Sequence, residues 1–323
     1  MTRISGRLVS AGIARETERM TGENAATFWV PKTTFDFNPK TEYAVNASSL
    51  GVIDGRSDAK VVELLGEGSF GGIFYMSSGG LLLYSVLGSL SSSVVTDSAY
   101  THTISRLNTN QHPSLTIFEK STNQDVKYAG AMINQFTLNC ALKDYVRYTA
   151  GFMSKTEASA SSTVAFSADK AFLAQHITVK FATTVAGLGA ASAISIRGIN
   201  LTFNKNVEDL LALGSVDPAD IVNKNFLANG DMSMTFDDET YKDYVLDGTK
   251  MAMLVTIDNT DDLIGDTATP KLEFTFAPMS FKDWGRGIGN DDIVTQTIGF
   301  DGNFGFTDSM TVSATLRNET VSY

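Results

Sequence analysis

Apolar and polar residues alternate with period two along much of the chain. Ile177, Val179 and Phe181 alternate with polar neighbours in "ITVKF", as do Ile199, Leu201 and Phe203 in "INLTF" and Met232, Met234 and Phe236 in "MSMTF". Leu272, Phe274 and Phe276 in "LEFTF" and Val312, Ala314 and Leu316 in "VSATL" repeat the pattern. Successive side chains of a strand point to opposite faces, so this period predicts strands with one face buried and one wet, a type that antiparallel sheets accept. Helical signals are confined to two short segments. "SSGGLLLYSVLG" (77–88) carries the cap-forming Ser77 and Ser78, and "DETYKDYVLDG" (238–248) carries Asp237 and Asp238 at its start. Gly88 and Gly248 close them, each suited to the left-handed position after a helix. Tyr241, Tyr244 and Val245 stand at i, i+3, i+4 and are expected to share a buried face. Stretches rich in Ser, Thr, Ala and Gly at 89–103 and 154–170, and an acidic stretch at 258–266, read as loops.

The two halves repeat an order of elements. "FDFNPKTE" from Phe35 parallels "LTFNKNVE" from Leu201 at an offset of 166, and Gly68 parallels Gly230 at 162. Gly88 falls on Gly248 at 160, Pro113 on Pro270 at 157 and Asp144 on Asp308 at 164. Five matched segments lie in one order, all offset by close to half of the 323-residue chain. The chain therefore reads as two copies of one strand–helix–strand module, residues 1–160 with an N-terminal arm and residues 161–323.

Candidate chemistry is concentrated in "GEGSFGG" (66–72), which fits G-x-G-x-x-G. A phosphate-cradling loop needs a helix directly after the glycines and an acidic residue about 20 residues on. Here "IFYMSS" follows, which reads as strand, and "LGSLSSS" lacks a carboxylate. The expectation is a turn at Gly68 feeding a strand, with glycines where the backbone is closely approached. His102, His112 and His176 are scattered, and His102 is expected to face solvent or a neighbouring strand. The carboxylates of "DNTDDLIGD" lack calcium-loop spacing, and Asp237 and Asp238 suit a helix start. Cys140, the lone cysteine, reads as a small strand residue. No catalytic, cofactor-binding or metal-ligating residue is expected, and hence no enzyme.

Charge narrows the partners. Lys and Arg number 25 against 36 Asp and Glu, a net charge of −11, which argues against gripping nucleic acid by its phosphates. It is compatible with a surface that a polyanion slides past. No signal peptide is expected, and the apolar run around Leu81 is too short to span a bilayer.

Together these residues resemble the tail tube proteins (major tail proteins) of long-tailed bacteriophages. The likeness is carried by "GIARETERMTGENAATFWVPKTTFDFNPKTEY", by "GEGSFGGIFYMSSGGLLLYSVLGSL", and then by "AYTHTI", "PSLTIFEK" and "YAGAMINQFTLN" in order. "INLTFNKNVEDLLALGSVDPADIV" and "NGDMSMTFDDETY" supply the matching elements of the second half, so the likeness runs over almost the whole chain. The two glycines of "SFGGIFY" depart from the family's usual strand residues.

The resemblance implies a mainly β chain of two tandem tail-tube-type β-sandwich or open-barrel modules, each flanked by a short α-helix. It implies a structural virion protein, made in the host cytoplasm and resident in the virion tail. Its rings would stack into a hollow tube through which DNA passes into the host without specific binding. Implied partners are further copies of the chain, a tape-measure protein in the lumen, and tail terminator and tail-tip proteins, with no membrane insertion. Two modules per chain favour a trimeric, pseudo-hexameric ring, a hexamer being the rival. The three loop stretches are expected to order when rings stack. The alternative from another class is a carbohydrate-binding or adhesion module of a tail tip or cell surface. It would need clustered exposed aromatics, whereas the 20 Phe residues mostly alternate within strands.

Overall fold

The structure, a computed structural model, describes residues 3–323. In the first half the strands are β1 (Ser10–Arg15), β2 (Phe28–Val30), β3 (Thr34–Asn46), β4 (Asp58–Ile73), β5 (Gly88–Thr96), β6 (Ala99–Arg106), β7 (Leu115–Lys120), β8 (Asp125–Ala141), β9 (Arg147–Lys155) and β10 (Glu157–Ser159). In the second they are β11 (Ile177–Ala182), β12 (Ala193–Ile194), β13 (Gly198–Asn204), β14 (Val207–Leu210), β15 (Asp220–Asn223), β16 (Leu227–Thr235), β17 (Lys250–Asp258), β18 (Lys271–Gly287), β19 (Thr295–Gly302) and β20 (Val312–Asn318). Helix α1 (Met76–Leu87) follows β4, and α2 (Thr240–Leu246) follows β16. The protein is thus mainly β with few short helices.

Every strand pairing is antiparallel. Neighbouring strands run β2-β1-β7-β8-β9-β4-β3 in one series. A second series runs β12-β11-β17-β18-β19-β16-β13. The series meet where β13 pairs with β8 from Gln135↔Asn204 to Ala141↔Gly198. The β5–β6 hairpin of the first half crosses to pair with β20, which lies on β18. One hydrophobic cluster extends through both series, from Ile13 to Leu316. Phe203 links them, its ring 6.4 Å from Phe136 on one side and 5.7 Å from Phe274 on the other.

The alternating segments form strands with the expected inward faces. Ile199, Leu201 and Phe203 on β13, Leu272, Phe274 and Phe276 on β18, and Val312, Ala314 and Leu316 on β20 are buried. The two helices end where expected, Gly88 with φ 94° and Gly248 with φ 64°. Their starts differ. Asp238 accepts from Thr240 N at 3.0 Å, as an N-terminal carboxylate should. The α1 N-terminus is instead capped from outside. Asp169 accepts from Ser77 N at 3.1 Å and from Ser77 Oγ at 3.0 Å.

Two local expectations are corrected. Residues 89–103 are no loop but the β5–β6 hairpin, turned at Asp97 with φ 43°. Small Ser, Thr and Val residues suit a strand as well as a linker, and composition hid the hairpin. Gly68 is no turn either. It lies mid-strand in β4, opposite Phe37 on β3 and Phe152 on β9.

The matched segments sort themselves by strand neighbours. Gly68 between Phe37 and Phe152 has the surroundings of Gly230 between Leu201 and Phe300. This sets Phe37 beside Leu201, two residues from the Phe203 that the sequence pattern suggested. Pro113 leads into β7 whereas Pro270 leads into β18, and Asp144 precedes β9 whereas Asp308 precedes β20. Those two matches join strands with different neighbours.

Candidate functional site

Strand alternation builds a continuous polar face. Residues directly opposed across an antiparallel ladder share a face of the sheet. Followed rung by rung, Asp36 and Asn38 (β3) lie beside Ser69 and Glu67 (β4). Ser69 faces Gly151 (β9), which faces Gln135 (β8). Thr137 and Asn139 (β8) lie beside Thr202 and Asn200 (β13). Asn200 and Thr202 face Asp231 and Asn229 (β16), which face Gly299 and Asp301 (β19), and Gly299 faces Lys282 (β18). All these side chains point away from the core, whose buried rows occupy the alternate positions of the same strands.

The face is hydroxyl- and amide-rich, with mixed charges. Its acids on these rungs are Asp36, Glu67, Asp231 and Asp301, and Lys282 bonds Asp301 at 2.7 Å. A polar row crosses the junction of the two series. Asn139 Nδ2 donates to Asn200 Oδ1, and Asn200 Nδ2 donates to Asp231 Oδ2 at 3.0 Å. Thr137 and Thr202 hydroxyls meet at 3.4 Å one rung further. Each of these links is local, so the row stitches the two series together without a charge cluster.

A second feature is the long β3–β4 hairpin, which projects beyond the body with Tyr43, Val45, Leu50, Val52 and Ile53 exposed. At its base Leu64 N donates to Val216 O at 2.8 Å, so the loop after β14 braces the arm. Glu42 and Glu63 are directly opposed there. Burial, with Glu42 and Asp209 close by, pushes the Glu63 carboxyl up to about 7.

Buried polar groups hold this frame and escaped the sequence reading. Glu16 accepts from Gly130 N at 2.7 Å, Met20 N at 2.9 Å and Thr116 Oγ1 at 3.0 Å, and burial raises its carboxyl above the usual range. Lys205 is fully buried and donates to Ser85 O at 2.8 Å at the end of α1. Burial pushes its amine down to about 7. A lone Lys beside an Asn-rich turn carries no sequence signal of burial.

The residues weighed for chemistry are dispersed. His102 on β6 is buried, 2.8 Å from Ser92 Oγ and 3.0 Å from Asn318 Oδ1 of β20, so it faces the neighbouring strand and not solvent. His112 bonds Leu107 O at 2.9 Å, and burial pushes its ring down to about 4. His176 meets Asp261 Oδ2 at 3.1 Å. Cys140 is a buried strand residue whose thiol burial pushes up to about 12. The "GEGSFGG" amides lie in a two-sided ladder, where they cannot turn toward a phosphate. Among the described residues, no group of three or more His, Cys, Asp and Glu is placed to hold a metal ion. No described helix is long and apolar enough to cross a membrane.

A family model described as phage tail tube protein matches residues 6–302, and the chain belongs to that family. It is therefore a structural, polymer-forming protein of the phage tail and not an enzyme. It resides in the virion tail, where it self-assembles and associates with other tail components. No curated protein matches the chain at a significant level.

Proposed function

We propose that the chain forms rings that stack into a hollow tube, and that DNA passes through this tube into the host. Three chains make each ring, every chain contributing two modules, residues 1–160 and 161–323. The observation that carries this reading is the repeated neighbour order, β2-β1-β7-β8-β9-β4-β3 followed by β12-β11-β17-β18-β19-β16-β13. Each series also places a short helix after its β4 or β16 strand.

The polar face from β3 to β18 lines the lumen. Short hydroxyl and amide side chains offer DNA neither apolar surface nor a row of cations, so nothing holds the phosphates. Repulsion is mild there, because Lys282 offsets Asp301. The net charge of −11 lies mostly elsewhere on the chain. Before DNA enters, a tape-measure protein occupies this channel, with terminator and tip proteins at the tube's ends. The chain is made in the host cytoplasm, inserts into no membrane and uses no catalytic, cofactor-binding or metal residue. Electron cryomicroscopy of tubes from the purified protein tests the reading. Three chains per ring with this face inward is the expected result. Six chains per ring would discard the two-module interpretation, and discrete monomers at all concentrations would discard the tube.

A further inference from the structure

The two series do not present the same polar face. Where Ser69 faces Gly151, the first series sinks into a concavity of about 300 Å³. Asp36, Asn38, Lys40, Glu67 and Ser69 stand around it, and Gly151 forms its floor. A Cβ at Gly151 would meet only the Gln135 carbonyl oxygen, 3.9 Å away. No side chain of β8 covers this floor, and Asn134 Oδ1 is instead turned to accept from Val207 N at 3.1 Å.

The corresponding place on the second series is filled. Gly299 opposes Asp231 as Gly151 opposes Ser69, each glycine one residue before the phenylalanine that opposes Gly230 or Gly68. Each also faces the irregularity of its long strand, between Ile133 and Gln135 on β8 and between Lys282 and Trp284 on β18. There Lys282 lies over the glycine. A Cβ at Gly299 would come within 3.2 Å of Lys282 Cγ and 3.5 Å of its Cε, and the ammonium reaches Asp301 at 2.7 Å. Asp301 opposes Asn229, and on the matching rung of the first series the acid is Glu67, opposite Met153. Neither Glu67 nor Lys40 forms an ion pair among the described residues. The chain itself thus shows what fits such a hollow: an alkyl chain on a glycine floor, with its ammonium on a carboxylate.

We propose that the Gly151 concavity binds a primary alkylammonium group, methylenes on the glycine floor and ammonium toward Glu67 and Asp36. Its occupant in the tail is a lysine side chain of the protein that fills the channel, a step that rests on the lumen reading above. Two carboxylates against the single Lys40 leave the rim negative, so the hollow selects a cation and repels a phosphate. One exposed ion pair contributes little, so each contact is weak and breaks as the channel empties. Repeated in every chain along the tube, such contacts sum to a firm hold before release.

Nuclear magnetic resonance of the unassembled full-length chain tests the site, with N-acetyl-lysine methylamide as probe and N-acetyl-norleucine methylamide as its uncharged control. The Gly151 and Ser69 amide signals should shift saturably with the lysine probe, in the millimolar range, and stay still with the control. Lys282→Ala should empty the second hollow and bring Gly299 into the response. Gly151→Val fills the first hollow and should silence Ser69, and Glu67→Gln, a surface change that leaves the ladder intact, should weaken binding about threefold. Equal shifts with both probes, or silence at Gly151 and at Gly299 of the Lys282→Ala chain, would overturn the proposal. Carbodiimide cross-linking of intact tails, which joins a carboxylate to a touching amine, tests the occupant. Glu67 or Asp36 joined to lysines of the channel protein is the expected result. Cross-links there only to other copies of the chain would keep the ammonium site and overturn the lumen reading.

Discussion

Adding one methyl group at Gly68 or Gly230 should separate the strands that carry the polar face. A Cβ at Gly68 would lie 2.5 Å from Phe37 Cα, 2.8 Å from Asp36 C and closer still to the Asp36 carbonyl oxygen. A Cβ at Gly230 would lie 2.6 Å from Phe300 Cζ and closer to Asn200 O. Relaxing either to an unstrained contact of ~3.5 Å needs about 1 Å of movement by backbone, since no flexible side-chain tip can give way. A ladder hydrogen bond of ~2.9 Å does not survive such a displacement. One or two lost bonds at about 1 kcal/mol each, plus overpacking of about 1–3 kcal/mol, give about 2–5 kcal/mol. With ~2.1 cal/mol/K of unfolding entropy per residue, that is about 3–7 °C in Tm. Gly55→Ala is the control, because a Cβ there meets nothing within 4 Å, and its shift should stay below about 1 °C. Differential scanning calorimetry of Gly68→Ala, Gly230→Ala and Gly55→Ala reads all three. The same scan with saturating ATP or NAD separates the two explanations of these glycines. A phosphate loop would raise stability by about 2.7 kcal/mol at a hundredfold excess over Kd, while strand packing predicts no shift. Gly68→Ala without effect, together with a nucleotide-dependent rise, would refute the packing argument.

Four further outcomes are expected. The Glu63 carboxyl sits at about 7 in the folded arm against an ordinary 4.5, so the folded state binds the extra proton. Its penalty is absent below the ordinary value and complete above about 7, so stability falls as pH rises across that window. Hydrogen exchange of residues 58–64, corrected for intrinsic rate, should be slower at pH 5.5 than at pH 8, and Glu63→Gln should flatten the difference; greater protection at pH 8 contradicts this. Lys205, lowered from 10.5 to about 7, gives the opposite slope, stability rising between those values, and Lys205→Met should remove the slope and stabilise by about 1–4 kcal/mol in urea titrations. A Cβ at Gly80 would lie 2.6 Å from Tyr323 Cε2, so Gly80→Ala should destabilise the native chain yet stabilise the Tyr323→Ala variant by about 1 kcal/mol; equal signs in both backgrounds would end the idea that the ring demands the glycine. Thr137→Lys with Thr202→Lys should leave tubes intact but make them retain DNA at low salt, released as salt rises. Tubes that still bind no DNA would place this face outside the lumen.

The sequence disclosed strands and helix ends because each is a local property. Alternation at Ile199, Leu201 and Phe203 is set by burial on one side of one strand, and Gly88 announces its own backbone angle. What it hid depends on partners far along the chain. The α1 cap comes from Asp169, the β5–β6 hairpin is held by β20, and Lys205 meets Ser85. The polar face was partly legible, since Asn200 and Thr202 were already read as the polar neighbours in "INLTF". Which wet sides adjoin is a matter of register, and no short match gives that. The Pro113 and Asp144 comparisons show the cost of this, because a shared proline or aspartate before an alternating segment does not fix the strand's neighbours.

The difference between the two series has a physical pattern. At the internal seam β8 offers Phe136, Leu138 and Cys140 to β13, and all three are buried. The corresponding stretch of β18 reads Trp284, Arg286 and Ile288, separated by Gly285 and Gly287. A seam formed during folding is covered at once and can be fully apolar. An edge left open in the free chain must stay soluble, which favours a charge parked on Phe236 and glycines over a row of large apolar groups. Likewise β3 continues into a long projecting arm, whereas β13 ends at Asn204 and the chain kinks at Asn206, φ 44°, into the compact β14–β15 hairpin. The two series share the glycine setting at Gly68 and Gly230, where the ladder geometry is the same. They differ in side chains where one edge is internal and the other exposed.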